Sequence, residues 1–507
     1  MAIDSKRIAK NTIFLYARLI LVMGVQLYSS RVILDKLGTT DYALYYVVFG
    51  VIGLLSFLNG TLSSGTSRFI TFELGKGNPE RLKTTFSTTL ISHLLLAGII
   101  LLLGETIGLW YAHNIMVVPQ GRMEAAMIVY QISILSTIIS ILQVPFTSEI
   151  MAHEEMNVYA YLGIYEAIAK LAVVVLIIHT SFDKLIYFAT LQCVVVFTVF
   201  LFYVWYSKKH FQEVTFKLYF DKGIFKSILK FSGWNIMATL SNTLMSQGVI
   251  MLFNLFFAPV VVAAQAISNQ ISNALMQFVN NVRQAVNPQV IKLYADEQYE
   301  ASQRLTFASA EYIFDLLLLL GVPCIMVMPS LLDLWLVDVP EYAVVFAQLI
   351  IVQDILGNFS AAFYTPMLAA NKISKNSIVS VFLCLIQFAL LWVLFSCGLG
   401  PLWARYLALF SCVIFSFVVK PYILWHDVNY NLKDIYNCIW QCLKNLLTIV
   451  VVCASIYILI PQTTLMRSVC VALLSVVVVI ASAYAYMNTA IRKSIIDFLM
   501  SRFKRVK

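Results

Sequence analysis

The sequence is poor in charge, and that shortage excludes most of what a 507-residue chain could otherwise be. Only 12% of its residues are Asp, Glu, Lys or Arg, against about 25% in a soluble globular protein. No long polar block is present to house a soluble domain. Histidine is scarce as well: the six residues are scattered without the spacing of metal ligands. His153-Glu154-Glu155-Met156-Asn157 lacks the second histidine of a zincin helix, and Leu74-Gly75-Lys76-Gly77-Asn78 is too short for a phosphate-binding loop. The nine cysteines include no CxxC pair and lie almost all in apolar runs, as small packing residues do. Gly104 and Gly108 make a lone GxxxG match, which carries little weight. A cleavable leader is not expected, because Arg18 interrupts the first apolar run and no A-x-A site follows.

What is present is hydrophobic sequence, 60% of the chain. About 20 apolar residues span a bilayer core. Reading for such runs gives about fourteen spans: 11–34, 42–65, 87–110, 123–144, 158–179, 185–206, 231–257, 262–282, 306–328, 343–369, 377–397, 402–425, 438–460 and 469–487. A polar loop is expected between the second and third, around 67–86, and the longest polar interruption, Ser207–Lys230, holds six lysines. Loops on the side of the two termini carry about 27 of the 35 Lys and Arg, and opposite loops about five. The positive-inside rule therefore puts both ends in the cytoplasm. With the charges so placed, the net charge of +9 reflects topology, and no nucleic-acid partner is expected.

The pattern 11–60, a span, then Leu37-Gly38-Thr39-Thr40-Asp41-Tyr42, then another span, has an echo about 220 residues later, from Trp234 through Phe278-Val279-Asn280-Asn281. Two parallel repeats follow from it, a transporter plan with the substrate between halves. The expected fold is an all-α integral membrane protein, two six-helix repeats around a central cavity plus two C-terminal helices. Its parts are an N-terminal lobe (1–206), a cytoplasmic linker (207–230), a C-terminal lobe (231–426), and two extra helices with a basic cytoplasmic tail (427–507).

The candidate site residues are polar groups inside these spans. Arg18 and Arg31 interrupt the first; ionised groups there are costly and tend to face a bundle interior or wet cavity, although both could snorkel to a surface. Asn11, Arg18 and Ser29 lie within about 20° of each other on a helix, flanked by Gln26. Asn235, Thr239, Asn242 and Ser246 stack on one face of the seventh span, and Gln265, Asn269, Ser272 and Arg283 on one face of the eighth. A strip of amides that long is better explained by water than by lipid. Arg68 and Arg283 occupy matching places in the two repeats, where ordinary topology also favours cations. Guanidinium suits phosphate oxygens. Glu166 and Lys170, four apart, are expected to form a buried structural ion pair. Glu311, Asp315 and the deeper Asp354 are candidates for proton or sodium coupling. No cofactor and no metal are expected.

The stretches Lys10–Gly60, with its LGxxDYxxY pattern, Ser67–Asn78, Val144–Leu171 and Ala266–Lys292 resemble the Wzx-like polysaccharide flippases of the multidrug/oligosaccharidyl-lipid/polysaccharide exporter superfamily. The resemblance implies a V-shaped cavity between two lobes, opening alternately to either side of the bacterial inner membrane. It implies an undecaprenyl-diphosphate-linked oligosaccharide as cargo, with arginines such as Arg18, Arg31 and Arg68 on the diphosphate. The expected function is translocation of such units for lipopolysaccharide, capsule or other surface polysaccharide, with no bond made or broken. Membrane lipids and other polysaccharide-assembly proteins are the expected partners. The alternatives are a cation-coupled multidrug exporter or a lipid II flippase of the same superfamily. A polytopic glycosyltransferase or polymerase is less well supported, because the expected outside loops are short and the longest, 111–122, has no acid.

Overall fold

The computed structural model describes residues 5–153, 155–215, 219–370, 372–460 and 465–486, and every regular element among them is a helix. The side chains of Arg18 and Asn235, and the tail from residue 487, lie outside the described residues. Among the described residues the expected apolar runs fall largely on helix. Among the described residues ten helices are long and apolar enough to cross a membrane, not the fourteen expected: the runs 11–34, 42–65, 231–257 and 262–282 are not among them. The shortest of the ten has 21 residues; at 1.5 Å per residue even that one reaches about 31 Å, the thickness of the hydrocarbon. Their outward faces are greasy: Leu102 is 64% exposed, Ile458 79% and Met466 79%. In water each would cost about 1.5–3 kcal/mol relative to burial. Among acyl chains that cost vanishes, so this is a multi-pass membrane protein.

Element boundaries depart from the hydrophobic pattern in instructive places. The helix Ser5–Gly53 is broken at Gly38, whose φ of 75° and ψ of 167° fall in a region open essentially to glycine alone. The expected second span is crossed by a turn at Leu54–Leu55, after which the helix Ser56–Lys76 begins. The polar loop expected at 67–86 is mostly helix. Only Gly77, left-handed at φ 69°, and Asn78 interrupt it, Asn78 capping the helix Pro79–Leu103 by accepting from the Arg81 N–H. Polar residues end a helix only where backbone chemistry makes them, and here glycine and asparagine do so.

The described chain divides into two compact units. One comprises the described parts of Met1–Ile267, Trp335–Ala343 and Ser377–Ala404. Its core joins Phe86, Phe146, Ile150, Phe188 and Val199, with the Phe86 and Phe146 rings edge-on at 5.6 Å. The helix Pro79–Leu103 continues through a widened turn, Gly104–Gly108. Gly104 O accepts from the Leu109 N–H across this turn and also from Tyr130 Oη, at 2.6 Å. Three separate connections of this unit meet at Arg122, which grips Asp41 through Nε (2.9 Å) and Nη2 (2.6 Å) and also pairs with Asp183. Asp183 in turn caps the helix Lys184–His210, accepting from the N–H groups of Leu185 and Ile186.

The second unit comprises the described parts of Ser268–Leu334, Val344–Asn376 and Arg405–Lys507. Phe314, Phe359 and Phe363 form its aromatic centre. The helices Tyr299–Met326 and Ala343–Asn358 approach closely at Gly321, where an added Cβ would lie 2.7 Å from Ile351 Cγ2 and 3.2 Å from Ile355 Cδ1.

Candidate functional site

The second unit holds a buried polar array, assembled from several helices. Asp354, on Ala343–Asn358, is 9% exposed. Ser272, from the helix Pro259–Ala295, donates its hydroxyl to Asp354 Oδ2 at 2.5 Å. Asp354 also lies within electrostatic reach of Arg405, itself 7% exposed. The Arg405 guanidinium sits 5.5 Å over the Phe346 ring, and its Nε and Nη2 find no hydrogen-bond acceptor among the described residues. Further along the same helical stretch, Lys420 Nζ donates to Ser360 O (3.1 Å) and Oγ (3.0 Å). Thr365 donates to Asn287 at 2.8 Å, and Arg283, half-buried beside Tyr364, has no acceptor for its Nε among the described residues.

Burying charge among hydrocarbon is costly unless it is paired or hydrogen-bonded. An acid, two arginines and a lysine are held in this one helical unit, and among the described residues Arg405 Nε and Nη2 and Arg283 Nε have no acceptor. Arg405 and Lys420 were not singled out by sequence. Each lies near one end of an apolar run, where a cation reads as ordinary topology.

A second acidic pair faces the C-terminal helices. Glu311 and Asp315 are half-buried on Tyr299–Met326. Asp315 Oδ1 accepts from Asn445 Nδ2 at 2.7 Å, and Asn445 Oδ1 accepts from Ser482 Oγ at 2.5 Å. One polar chain thus ties three helices. Glu311, Asp315, Gln441 and Asn445 line a small cleft of about 30 Å³. Between Tyr299–Met326, Ala343–Asn358 and Leu432–Leu459 runs an apolar groove of about 590 Å³, lined by Ile325, Val352, Leu356, Leu446, Val450 and Tyr457 among others.

In the first unit the candidates lie apart from any such array. Gln26, Arg31, Arg68 and Asn242 are exposed. Gln265 is 3% exposed, whereas Asn269, on the same helix but in the second unit, is half-buried. Glu166 and Lys170 pair at 2.6 Å with side chains 36% and 37% exposed, a partly open pair rather than a buried one.

No protein-family model matches the chain, and no curated protein does. Solved structures do. The inward-closed conformation of the lipid II flippase MurJ matches with a TM-score of 0.68 at 14% identity, over 94% of this chain and 98% of that one. An inward-facing multidrug resistance MATE family transporter of the MOP superfamily matches with a TM-score of 0.65 at 14% identity, over 82% and 99%. A MATE structure in the straight conformation gives 0.62 at 16% identity, over 85% and 97%. At such identities the likeness establishes architecture: this polytopic, all-helical membrane protein has the fold of the MATE and MurJ structures.

Proposed function

We propose that this chain is an alternating-access membrane transporter that moves a polyprenyl-diphosphate-linked saccharide across the bacterial inner membrane, without chemistry on its cargo. The observation that carries this is the extent of the MurJ likeness, 94% of the chain, where the two MATE matches above reach 82% and 85%. The apolar groove beside the helix Leu432–Leu459 supports the same cargo class, since a polyprenyl tail needs a greasy track beside the polar path. Diphosphate recognition is assigned to Arg18, Arg31, Arg68 and Arg283, and saccharide contacts to Gln26, Asn235, Asn242, Gln265 and Asn269. Asp354, Glu311 and Asp315 are the groups proposed to couple the cycle to H+ or Na+. Both termini are placed in the cytoplasm. The repeat organisation, 1–206 and 231–426 with two helices beyond, belongs to this proposal.

The comparisons favour the two alternatives named from sequence, lipid II flipping and multidrug export, over an oligosaccharide-specific flippase. Lipid II flipping falls within the cargo class above. Multidrug export stands as a second reading, supported by the MATE likenesses and by the buried acid Asp354. Deleting the gene separates the two. The proposal expects diphosphate-linked saccharide to accumulate in lipid extracts, with sensitivity to cationic drugs unchanged. Normal lipid-linked saccharide together with heightened drug sensitivity would transfer the assignment to the exporter.

A further inference from the structure

A cluster in the first unit, containing none of the residues assigned to transport, brings together one imidazole and two carboxylates. Glu149 lies in the last turn of the helix Met123–Ala152, His153 caps that helix, and Glu213 follows the helix Lys184–His210. We propose that these three side chains bind a divalent transition cation of the zinc class.

The geometry is close to what such an ion requires. One ligand atom from each residue lies within 4.8 Å of the others. His153 Nε2 is 2.5 Å from Glu213 Oε1 and 3.8 Å from Glu149 Oε2. Four-coordinate zinc, with ligands at about 2.0–2.2 Å, sets neighbouring donor atoms roughly 3.3–3.6 Å apart. Parting His153 from Glu213 by about 1 Å and drawing Glu149 in from 3.8 Å by a few tenths of an ångström would bring both of His153's separations into that range. The imidazole is already aimed: its ring stacks on Phe211, centroids 4.2 Å apart and planes 9° from parallel. Phe211 and Val214 are buried in the unit's core, so the stretch carrying Glu213 is anchored on both sides.

Glu149 supplies the independent observation. It is 0% exposed, and neither carboxylate oxygen accepts a hydrogen bond among the described residues. A buried carboxylate with no donor demands either a proton or a cation. Two carboxylates and a neutral imidazole carry two negative charges, which a dication balances. A protonated His153 would balance one and still leave both Glu149 oxygens without a donor. One histidine with two carboxylates is a donor set that zinc accepts, with a fourth position left for water. The bound ion would pin the stretch 211–214 to the end of the helix Met123–Ala152, just before the chain enters the helix Lys222–Thr243. This inference does not rest on the transport assignment.

The test uses the full-length protein in detergent, stripped with a chelator and titrated with Zn2+ alone by calorimetry. Metal content is measured in parallel. One Zn2+ per chain should bind, with a dissociation constant of roughly micromolar or tighter. His153→Ala and Glu213→Gln should each weaken it at least about tenfold. His179→Ala, on a different connection, should leave it unchanged. Absence of stoichiometric Zn2+, or equal affinity in the parent and both variants, would overturn the proposal. Should His153→Ala fail to fold, Glu213→Gln decides, because its site lies between helices and the swap preserves volume.

Discussion

Arg122 shows how much one side chain can organise without lying in an apolar run. Its guanidinium holds Asp41 and Asp183, 81 and 61 residues away, so three connections of the first unit are fixed by one fork. Hydrogen bonds from Arg122 hold the Asp183 carboxyl below its ordinary range. Burial outweighs the same guanidinium at Asp41 and lifts that carboxyl. The two shifts oppose each other in their pH dependence. Asp183 contributes stability above about pH 4 that is lost as pH falls through its lowered value, whereas Asp41 costs stability once pH rises past its raised one. The direct attraction to Arg122 is felt only by charged carboxylates. Arg122→Gln should therefore lower stability at pH 7 by about 1–2 kcal/mol, the groups being partly open to solvent. The difference between parent and variant should shrink on acidification below about pH 4. Thermal melting in detergent across pH 3–7 checks both. A gap that is absent at pH 7, or constant with pH, would remove the clamp from the account. None of this was legible in sequence, since Arg122 reads there as one of the few outside cations. The same holds for His153, whose immediate neighbours lack a second histidine. Its partner Glu213 arrives from 60 residues away, a distance that motif spacing does not reach.

At the scale of elements, hydrophobic run length was a sound guide and run boundaries were not. Most of the expected spans lie on helix, ten of them on helices long and apolar enough to cross a membrane among the described residues, because twenty apolar residues in hydrocarbon have no other way to satisfy their backbone. Helix ends and breaks answer to different physics. The break at Gly38 needs a backbone conformation, the turn at Leu54–Leu55 sits within apolar sequence, and the widened turns at Gly104–Gly108, Leu244–Gly248 and Phe415–Val419 leave hydropathy untouched. Close helix contacts are equally silent in composition. Gly321 lets Tyr299–Met326 meet Ala343–Asn358, and Ile351 and Ile355 are β-branched, so they have few rotamers with which to retreat. Gly321→Ala should cost about 1–3 kcal/mol through overpacking, outweighing alanine's better helix propensity. A lowered melting temperature with the helical circular dichroism retained is the expected result. A neutral or raised melting temperature would show that the two helices can part.

Over the whole molecule, the sequence carried the class of architecture, and its internal echo suggested a repeat plan. It did not carry the buried array around Asp354. Ser272 was visible on its amide-rich face, and Asp354 was visible as an intramembrane acid. Arg405, which stands near Asp354, was hidden at the margin of its run. Polar stripes on single helices are legible because they follow 3.6-residue periodicity; their partners on other helices are not, because pairing is set by packing. The likeness to MATE and MurJ structures shows the fold, and the cargo is a question for experiment. The most direct measurement places the purified protein in liposomes loaded on one leaflet with a labelled polyprenyl-diphosphate saccharide, and follows its appearance on the other with a soluble, membrane-impermeant glycosidase. A protein-dependent rise in the cleavable pool to about half of the labelled lipid beyond the starting leaflet is predicted for liposomes carrying the chain. A pool no different from that of protein-free liposomes, with transport of a cationic drug dye in the same preparation, would contradict the assignment.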